Sequence, residues 1–164
     1  DIPTEVGIAF ALPYYLLYNR LNLLDTYLGM ILIYMVYNLA FCILMIRGFF
    51  KDIPKELDEI AMIDGCSQIG AFARVSLPIA LPGIVTTAIL SFIFTWNEFF
   101  YAMILTREAT QTYTVQMPAF IGFMRIRWEE MRAAASLALI PVVILAVIGR
   151  KRLIRGMTFG AIKE

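Results

Sequence analysis

Acidic residues, a glycine and a proline are gathered in one charged stretch between two long apolar blocks. The stretch begins Lys55-Glu-Leu-Asp-Glu-Ile-Ala-Met-Ile-Asp-Gly65 and continues to Val75-Ser-Leu-Pro78. Taken singly, each acid indicates no more than a solvated helix face. The chain contains no histidine, so a histidine general base or a histidine metal site is excluded. These residues therefore suit recognition of a partner better than catalysis.

A second group of polar residues stands inside the apolar blocks. Trp96, Asn97 and Glu98 follow one another in the third block, and Tyr34 and Asn38 lie four residues apart in the second, on one helix face. Polar groups at membrane depth are costly, which makes these five candidates for a substrate pathway. Amide, carboxylate and aromatic groups suit a sugar, because polar groups bond hydroxyls and rings stack on its apolar face. Hydrogen bonding to a helix of a partner subunit remains the alternative for Asn38 and Glu98.

The composition indicates an all-α membrane protein. Hydrophobic residues make up 60% of the 164 residues and charged residues only 16%. A soluble domain of this length exposes too much of its chain to hide so much apolar surface. The apolar residues also come in long blocks, which is typical of helices that cross a bilayer.

Four apolar segments predict the organisation of the chain. Spans are expected at about 27–46, 83–105 and 133–149, with a long loop at about 51–82 and a tail at 150–164. The first segment, about 5–18, is shorter than the roughly 20 residues that a span needs. We therefore expect a partial span whose beginning is missing, so that residues 1–164 form the C-terminal part of a single transmembrane domain.

Basic residues predict the orientation of these spans. The connector over residues 47–82, which contains the long loop, shares one side with the tail, and together they hold nine lysines and arginines, whereas the opposite side holds five. By the positive-inside rule the long loop is cytoplasmic.

The long loop has the pattern of two short helices. Pro54 and the acids after it are typical of a helix start, Gly65 of a helix end, and Ser67 of a cap for a second helix. The second helix is expected to end before Pro78. The pattern thus predicts a compact helix-turn-helix protrusion between two spans.

The opposite loop predicts a short amphipathic helix after Pro118. Its apolar residues recur at helical spacing: Met117, Phe120, Ile121, Met124 and Trp128. Such a helix either lies at the membrane interface or packs on the protein, and the pattern does not decide between them.

The spacing within the long loop resembles the EAA signature of the permeases of binding-protein-dependent ABC importers. The matching residues are Glu59, Ala61, Gly65, Leu77 and Pro78. Ile60 and Val75 depart from the signature but remain apolar. Weaker similarities at Asn22–Thr26, Trp96–Glu98 and Gly156–Lys163 favour the maltose-type carbohydrate uptake family.

The resemblance implies a fold and a set of partners. The fold would be a bundle of transmembrane helices of the type I ABC importer permease kind, with a cytoplasmic helix-turn-helix coupling loop. The partners would be a second permease subunit in a heterodimer, an ATPase dimer, an extracytoplasmic solute-binding protein and membrane lipid. The expected location is the cytoplasmic (inner) membrane of a bacterium or archaeon.

The resemblance also implies roles for particular residues. Those expected to couple to the ATPase are Glu59, Ile60, Ala61, Asp64, Gly65, Phe72, Leu77 and Pro78. Tail residues expected to contact the ATPase are Gly156, Gly160 and Lys163. The chain has no Gly-rich loop ending in Gly-Lys-Ser/Thr, so ATP and Mg are expected on the partner ATPase, with no cofactor and no enzymatic activity in this chain.

Alternatives to a sugar importer remain open from the sequence. The solute could instead be a polyol, glycerol phosphate, a peptide, an amino acid or an ion. A secondary transporter would not need the coupling loop. A membrane-embedded enzyme would need paired catalytic groups at membrane depth, and only Glu98 is a candidate.

Overall fold

The computed structural model describes the backbone of residues 2–121 and 127–159, and the side chains of residues 10–121 and 127–150. In chain order its helices are α1 Ile2–Arg20, α2 Tyr27–Lys51, α3 Glu56–Ile63, α4 Gln68–Ala71, a π-turn at Phe72–Ser76, α5 Leu77–Trp96, α6 Phe100–Leu105, α7 Tyr113–Gln116, a 3-10 turn at Met117–Phe120, and α8 Trp128–Phe159.

Three helical stretches among the described residues are long and apolar enough to cross a membrane: Tyr27–Lys51, Gln68–Trp96 and Trp128–Arg150. Many of their apolar side chains are exposed, including Leu137 and Ile148 of α8. An apolar surface of this extent requires lipid or another apolar partner. The prediction of an all-α membrane protein is confirmed.

Contacts divide the chain into two compact units. The first unit comprises Asp1–Tyr37 and Phe94–Ile140. Its core joins α1, the start of α2 and α6 through five buried residues: Tyr18, Met30, Ile33, Ala102 and Leu105. This unit therefore holds the turn between α1 and α2 together with the segment that follows α5.

The second unit comprises Asn38–Ile93 and Pro141–Glu164. It contains α3, α4 and most of α5, with α3 packed on α4 and on the π-turn. Gly83 of α5 lies so close to the ring of Phe49 in α2 that an added Cβ atom would overlap the ring. A glycine at this position lets α5 approach the end of α2.

The second helix of the coupling loop does not end before Pro78, so this prediction was wrong. Helical structure runs without a break from Gln68 to Trp96. Proline at position 78 lacks an N–H, and its ring would clash with the carbonyl of Arg74 four residues earlier in a regular α-helix. Arg74 lies inside the π-turn, whose wider hydrogen-bond ring relieves that clash.

Helical structure around the predicted third span is interrupted. The sequence suggests one segment over residues 83–105, whereas α5 ends at Trp96 and α6 begins at Phe100. Beyond α7, the helical backbone ends at Phe120, because Ile121 has φ −90° and ψ 80°. The amphipathic helix expected over Met117–Trp128 is therefore not continuous, and Met124 lies outside the described residues.

Candidate functional site

The turn between α3 and α4 is fixed by glycine and by hydrogen bonds. Gly65 has φ +91°, in the left-handed region that side chains other than glycine rarely adopt. The Cys66 N–H donates to the Ala61 carbonyl at 3.0 Å and the Gly65 N–H to the Met62 carbonyl at 3.1 Å, which is a Schellman ending. The Ser67 hydroxyl accepts from the Gly70 N–H at 3.2 Å and caps α4. The predicted helix end and cap are both confirmed.

The tip of this helix pair is apolar and exposed. Ile63 and Ile69 are 84% and 81% exposed, and Ile60 and Met62 are exposed beside them. We call these four residues the apolar tip. Contiguous exposed apolar surface of this kind marks a site of contact with another protein or a membrane.

Small buried side chains hold the two helices together behind the apolar tip. Ala61 of α3 and Ala71 of α4 are buried, and small residues allow the backbones to approach closely. Phe72 stacks on Phe50 at the end of α2, with ring centroids 5.6 Å apart. The Ser76 hydroxyl donates to the Asp58 carboxylate, with Oγ 2.6 Å from Oδ1 and 2.8 Å from Oδ2.

The structure brings together most of the residues predicted to couple to the ATPase. Glu59, Asp64 and Pro78 are exposed, and Leu77 is partly buried at the start of α5. Of the predicted tail contacts, Gly160 and Lys163 lie outside the described residues. Gly156 lies on the backbone of α8, in a part whose side-chain surroundings are not described.

In the first unit, Glu98 lies in the break between α5 and α6, and its carboxylate binds the start of α6. Its carboxylate accepts the Tyr101 N–H at 2.9 Å and the Ala102 N–H at 3.2 Å, two donors that the start of a helix leaves unpaired. The Thr114 hydroxyl donates to the Glu98 carbonyl at 2.7 Å. Glu98 is 8% exposed, and the Tyr34 side chain interacts with it.

The two residues before Glu98 contact the first turn of α7 and α8. The Trp96 ring lies 5.2 Å from the Tyr113 ring, centroid to centroid, and its Nε1–H donates to the Ala138 carbonyl at 3.0 Å. The Tyr113 hydroxyl donates to Asn97 Oδ1 at 3.2 Å. Four predicted pathway residues, namely Tyr34, Trp96, Asn97 and Glu98, thus lie in one unit.

Asn38 lies in the second unit, where it takes part in a polar chain between α2 and α5. The Ser91 hydroxyl donates to Asn38 Oδ1 at 3.0 Å, and Cys42 Sγ lies 3.1 Å from Ser91 Oγ. Asn38 thus bonds to a helix of its own chain, and hydrogen bonding to a partner subunit stays an untested alternative to a pathway role.

Asp25 is a structural anchor whose partners the sequence did not indicate. Its carboxylate accepts backbone N–H groups from four consecutive residues, Arg107 to Thr110, at 3.0–3.1 Å. The Thr110 hydroxyl adds a bond at 2.9 Å. Hydrogen bonds from Ala109 and Arg107 hold the pKa of Asp25 far below its ordinary value. Asp25 belongs to the stretch Asn22–Thr26 that resembles the carbohydrate permeases, but the N–H groups that donate to its carboxylate lie more than 80 residues away in the chain.

Long apolar helices joined by a helix pair with an exposed apolar tip are typical of a membrane protein that contacts another protein. Residues 2–159 match the model of the binding-protein-dependent transport system inner membrane component. The chain belongs to this family, whose members are transport permeases of the type I ABC importer kind and multi-pass inner-membrane proteins, not enzymes.

Relatives that carry names of sugar transport systems match nearly the whole chain. The sulfoquinovosyl glycerol transport permease of Agrobacterium fabrum is 36% identical over 157 residues, which cover 95% of this chain and 55% of the relative. The trehalose transport permease of Mycobacterium tuberculosis is 35% identical over 162 residues, 96% and 58% of the two chains. The diacetylchitobiose uptake permease of Streptomyces coelicolor is 37% identical over 150 residues, 91% and 54%. The chain thus spans little more than half the length of these relatives.

Proposed function

We propose that this chain is part of the membrane-spanning subunit of an ATP-driven importer for a small sugar. The sugar would arrive on an extracytoplasmic binding protein and cross between this subunit and a second permease subunit. ATP and Mg would be bound by a separate ATPase dimer that docks on the coupling loop, on the cytoplasmic side of a bacterial or archaeal inner membrane.

The apolar tip is the observation that carries this proposal. Its isoleucines are exposed on a frame that the left-handed Gly65 and the Ser67 cap hold in one shape. A fixed shape lowers the entropy cost of docking, and apolar groups rimmed by the exposed Glu59 and Asp64 fit the usual pattern of a protein interface. A loop on a secondary transporter would have no reason to expose this surface to water.

A sugar is favoured over other solutes by the relatives and by the aromatic and amide groups of the first unit. Trp96, Tyr113 and Asn97 form a linked set in which ring faces stand beside an amide. We include Tyr34, Asn38 and Glu98 in the candidate pathway. Glu98 uses both carboxylate oxygens on backbone donors, so its contribution is to the shape of the pathway. A polyol or glycerol phosphate remains the second candidate solute.

Uptake by vesicles that contain the complete complex tests both the mechanism and the solute. The panel comprises trehalose, maltose, diacetylchitobiose, glycerol 3-phosphate and an amino acid, each with and without internal ATP. We expect one of the sugars to accumulate only with ATP and to stimulate ATP hydrolysis. Accumulation of the amino acid or of glycerol phosphate alone would refute the sugar assignment, and accumulation without ATP would establish a secondary transporter.

An exposed tip residue provides the matched variants. Ile63→Asp places a charge where the ATPase would dock and should abolish ATP-driven uptake. Glu56→Gln changes an exposed acid of the same helix and should leave ATP-driven uptake unchanged. Equal uptake by both variants would contradict docking at the apolar tip.

A further inference from the structure

One hydrogen bond fastens the first helix of the coupling loop to the base of the membrane-spanning helix. Ser76 is only 4% exposed, and its hydroxyl is aimed at both oxygens of Asp58 in the first turn of α3. Hydrogen bonds to an ionised acceptor are roughly twice as strong as neutral ones. Because Ser76 is buried, this bond is also shielded from competition with water.

The π-turn directs Ser76 at this acceptor. A π-turn places one more residue in a helical turn than an α-helix does, and one added residue rotates those that follow by about 100°. Ser76 is the last residue of the π-turn, directly before α5. The same widening that accommodates Pro78 therefore brings a hydroxyl to the α3 side of the helix.

The other attachments of α3 to the helix Gln68–Trp96 are the backbone hydrogen bonds of the Gly65 turn and the packing of small side chains. Between α3 and the continuous helix Gln68–Trp96 the backbone passes through the turn at Gly65. Glycine leaves the backbone more freedom than any other residue. Ala61 and Ala71, which are buried behind the tip, are small and offer little area for packing. The bond between Asp58 and Ser76 ties α3 to the helix beyond that turn, so it adds resistance to bending when a load is applied to the apolar tip.

We propose that Asp58 and Ser76 are positioning residues that make the coupling loop move as one body with the membrane-spanning helix Gln68–Trp96. Displacement of the apolar tip is then delivered to α5 instead of being lost in the Gly65 turn. The inference rests on the proposed function, because it requires an ATPase that moves the loop. It assigns no contact with ATP or solute to either residue.

The test measures sugar taken up per ATP hydrolysed, in vesicles that contain the complete complex. The probes are radiolabelled trehalose and maltose. The variants are Asp58→Asn, which keeps the shape but removes the charge, Ser76→Ala, the double variant, and Ser76→Thr, which keeps a hydroxyl. Glu56→Gln is the control, because it removes an exposed carboxylate from the same turn of α3.

We expect the Asn and Ala variants to retain the ATPase at wild-type stoichiometry and to hydrolyse ATP. Sugar transported per ATP should fall by about tenfold in Ser76→Ala, a factor that corresponds to about 1.4 kcal/mol, because the donor is lost. It should fall by less in Asp58→Asn, because the amide oxygen still accepts a weaker bond. The double variant should be no worse than Ser76→Ala, because that single change already removes the bond that Asp58→Asn weakens. Ser76→Thr and Glu56→Gln should stay within about twofold of wild type, since each keeps the bond.

Three results would overturn the inference while leaving the proposed function standing. One is a wild-type transport ratio in both single variants. Another is a pair of losses that multiply in the double variant. The last is loss of the ATPase from both single variants, which would show that the bond serves only to fold the loop. A wild-type complex that takes up neither sugar nor any other panel solute with ATP would instead refute the proposed function.

Discussion

Replacement of Gly65 separates backbone strain from docking at the coupling loop. Gly65 has φ +91°, and no heavy atom lies within 4 Å of the place where a Cβ would be added. An added side chain therefore meets no steric barrier inside this chain, and the cost comes from the backbone alone. A left-handed conformation costs an L-residue about 1–2 kcal/mol, whereas asparagine tolerates it better. Such a cost lowers the population of the formed turn by a factor of about 5–30.

A graded series follows from this geometry. Gly65→Asn should retain most ATP-driven sugar uptake, Gly65→Ala should lose more, and Gly65→Asp should lose nearly all. Aspartate tolerates the left-handed backbone better than alanine does, so the larger loss in the Asp variant is expected from the charge that it places beside the apolar tip. All three should insert into the membrane as wild type does, because the change lies outside the spans.

The assay is the initial rate of uptake and of ATP hydrolysis in vesicles, normalised to the amount of assembled complex. Membrane insertion is checked by extraction of the membranes with alkali. Wild-type uptake by an assembled Gly65→Asp complex would refute both the turn geometry and its role in docking. Equal losses in the Asn and Asp variants would show that a charge beside the apolar tip has no effect on docking.

Three further predictions concern the frame around the two candidate sites. Asp25→Asn should speed amide exchange at residues 107–110 by at least about tenfold, because a neutral amide accepts fewer and weaker hydrogen bonds than a carboxylate. Unchanged exchange would contradict the role of Asp25 as an anchor for these residues. The pKa of Asp25 is lowered in the fold, so the stabilisation that its carboxylate provides is fully present above about pH 3.9, the ordinary pKa, and is lost only as the pH falls below that value. Amide exchange at residues 107–110 should therefore show no dependence on Asp25 titration between about pH 5 and 8. Gly83→Leu should lower the thermal stability of the detergent-solubilised complex, and adding Phe49→Ala should partly restore that stability because it frees space beside residue 83. Additive losses in the double variant would contradict the close approach of Gly83 to the Phe49 ring. Glu98→Gln should preserve thermal stability better than Glu98→Ala, because a carbonyl oxygen can still accept the Tyr101 N–H, and equal losses would contradict the helix-capping role.

Local signals allowed much of the coupling loop to be predicted from the sequence. Gly65 ends α3 in a left-handed conformation and Ser67 caps α4, as their residue types suggest. Each effect depends on a residue and its near neighbours, so spacing alone is informative. The all-α membrane class followed in the same way from the length of the apolar blocks.

The errors arose where one element compensates for another. Pro78 has the usual properties of a helix end, but the π-turn before it absorbs the missing N–H and the ring clash. The break after Trp96 lies within an apolar segment, so hydropathy gave no sign of it. It is stabilised by the Glu98 carboxylate and by Thr114, which belongs to the separate helix α7.

Long-range partners could not be assigned from one sequence. Asp25 was part of a short similarity, yet its donors at residues 107–110 are brought to it only by the fold of the first unit. The bond between Asp58 and Ser76 spans 18 residues and depends on the rotation that the π-turn introduces. Neither pairing leaves a periodic or compositional pattern.

The central claim is that the apolar tip contacts an ATPase, and a photocrosslink at Ile63 tests it most directly. A benzophenone amino acid at this 84% exposed position should form an adduct with the ATPase subunit in the assembled complex. The same probe at Ile121, which is exposed in the loop on the other side of the predicted spans, should form none. An adduct at Ile63 alone is the predicted result. Absence of an ATPase adduct at Ile63 in a complex that transports sugar would contradict the account.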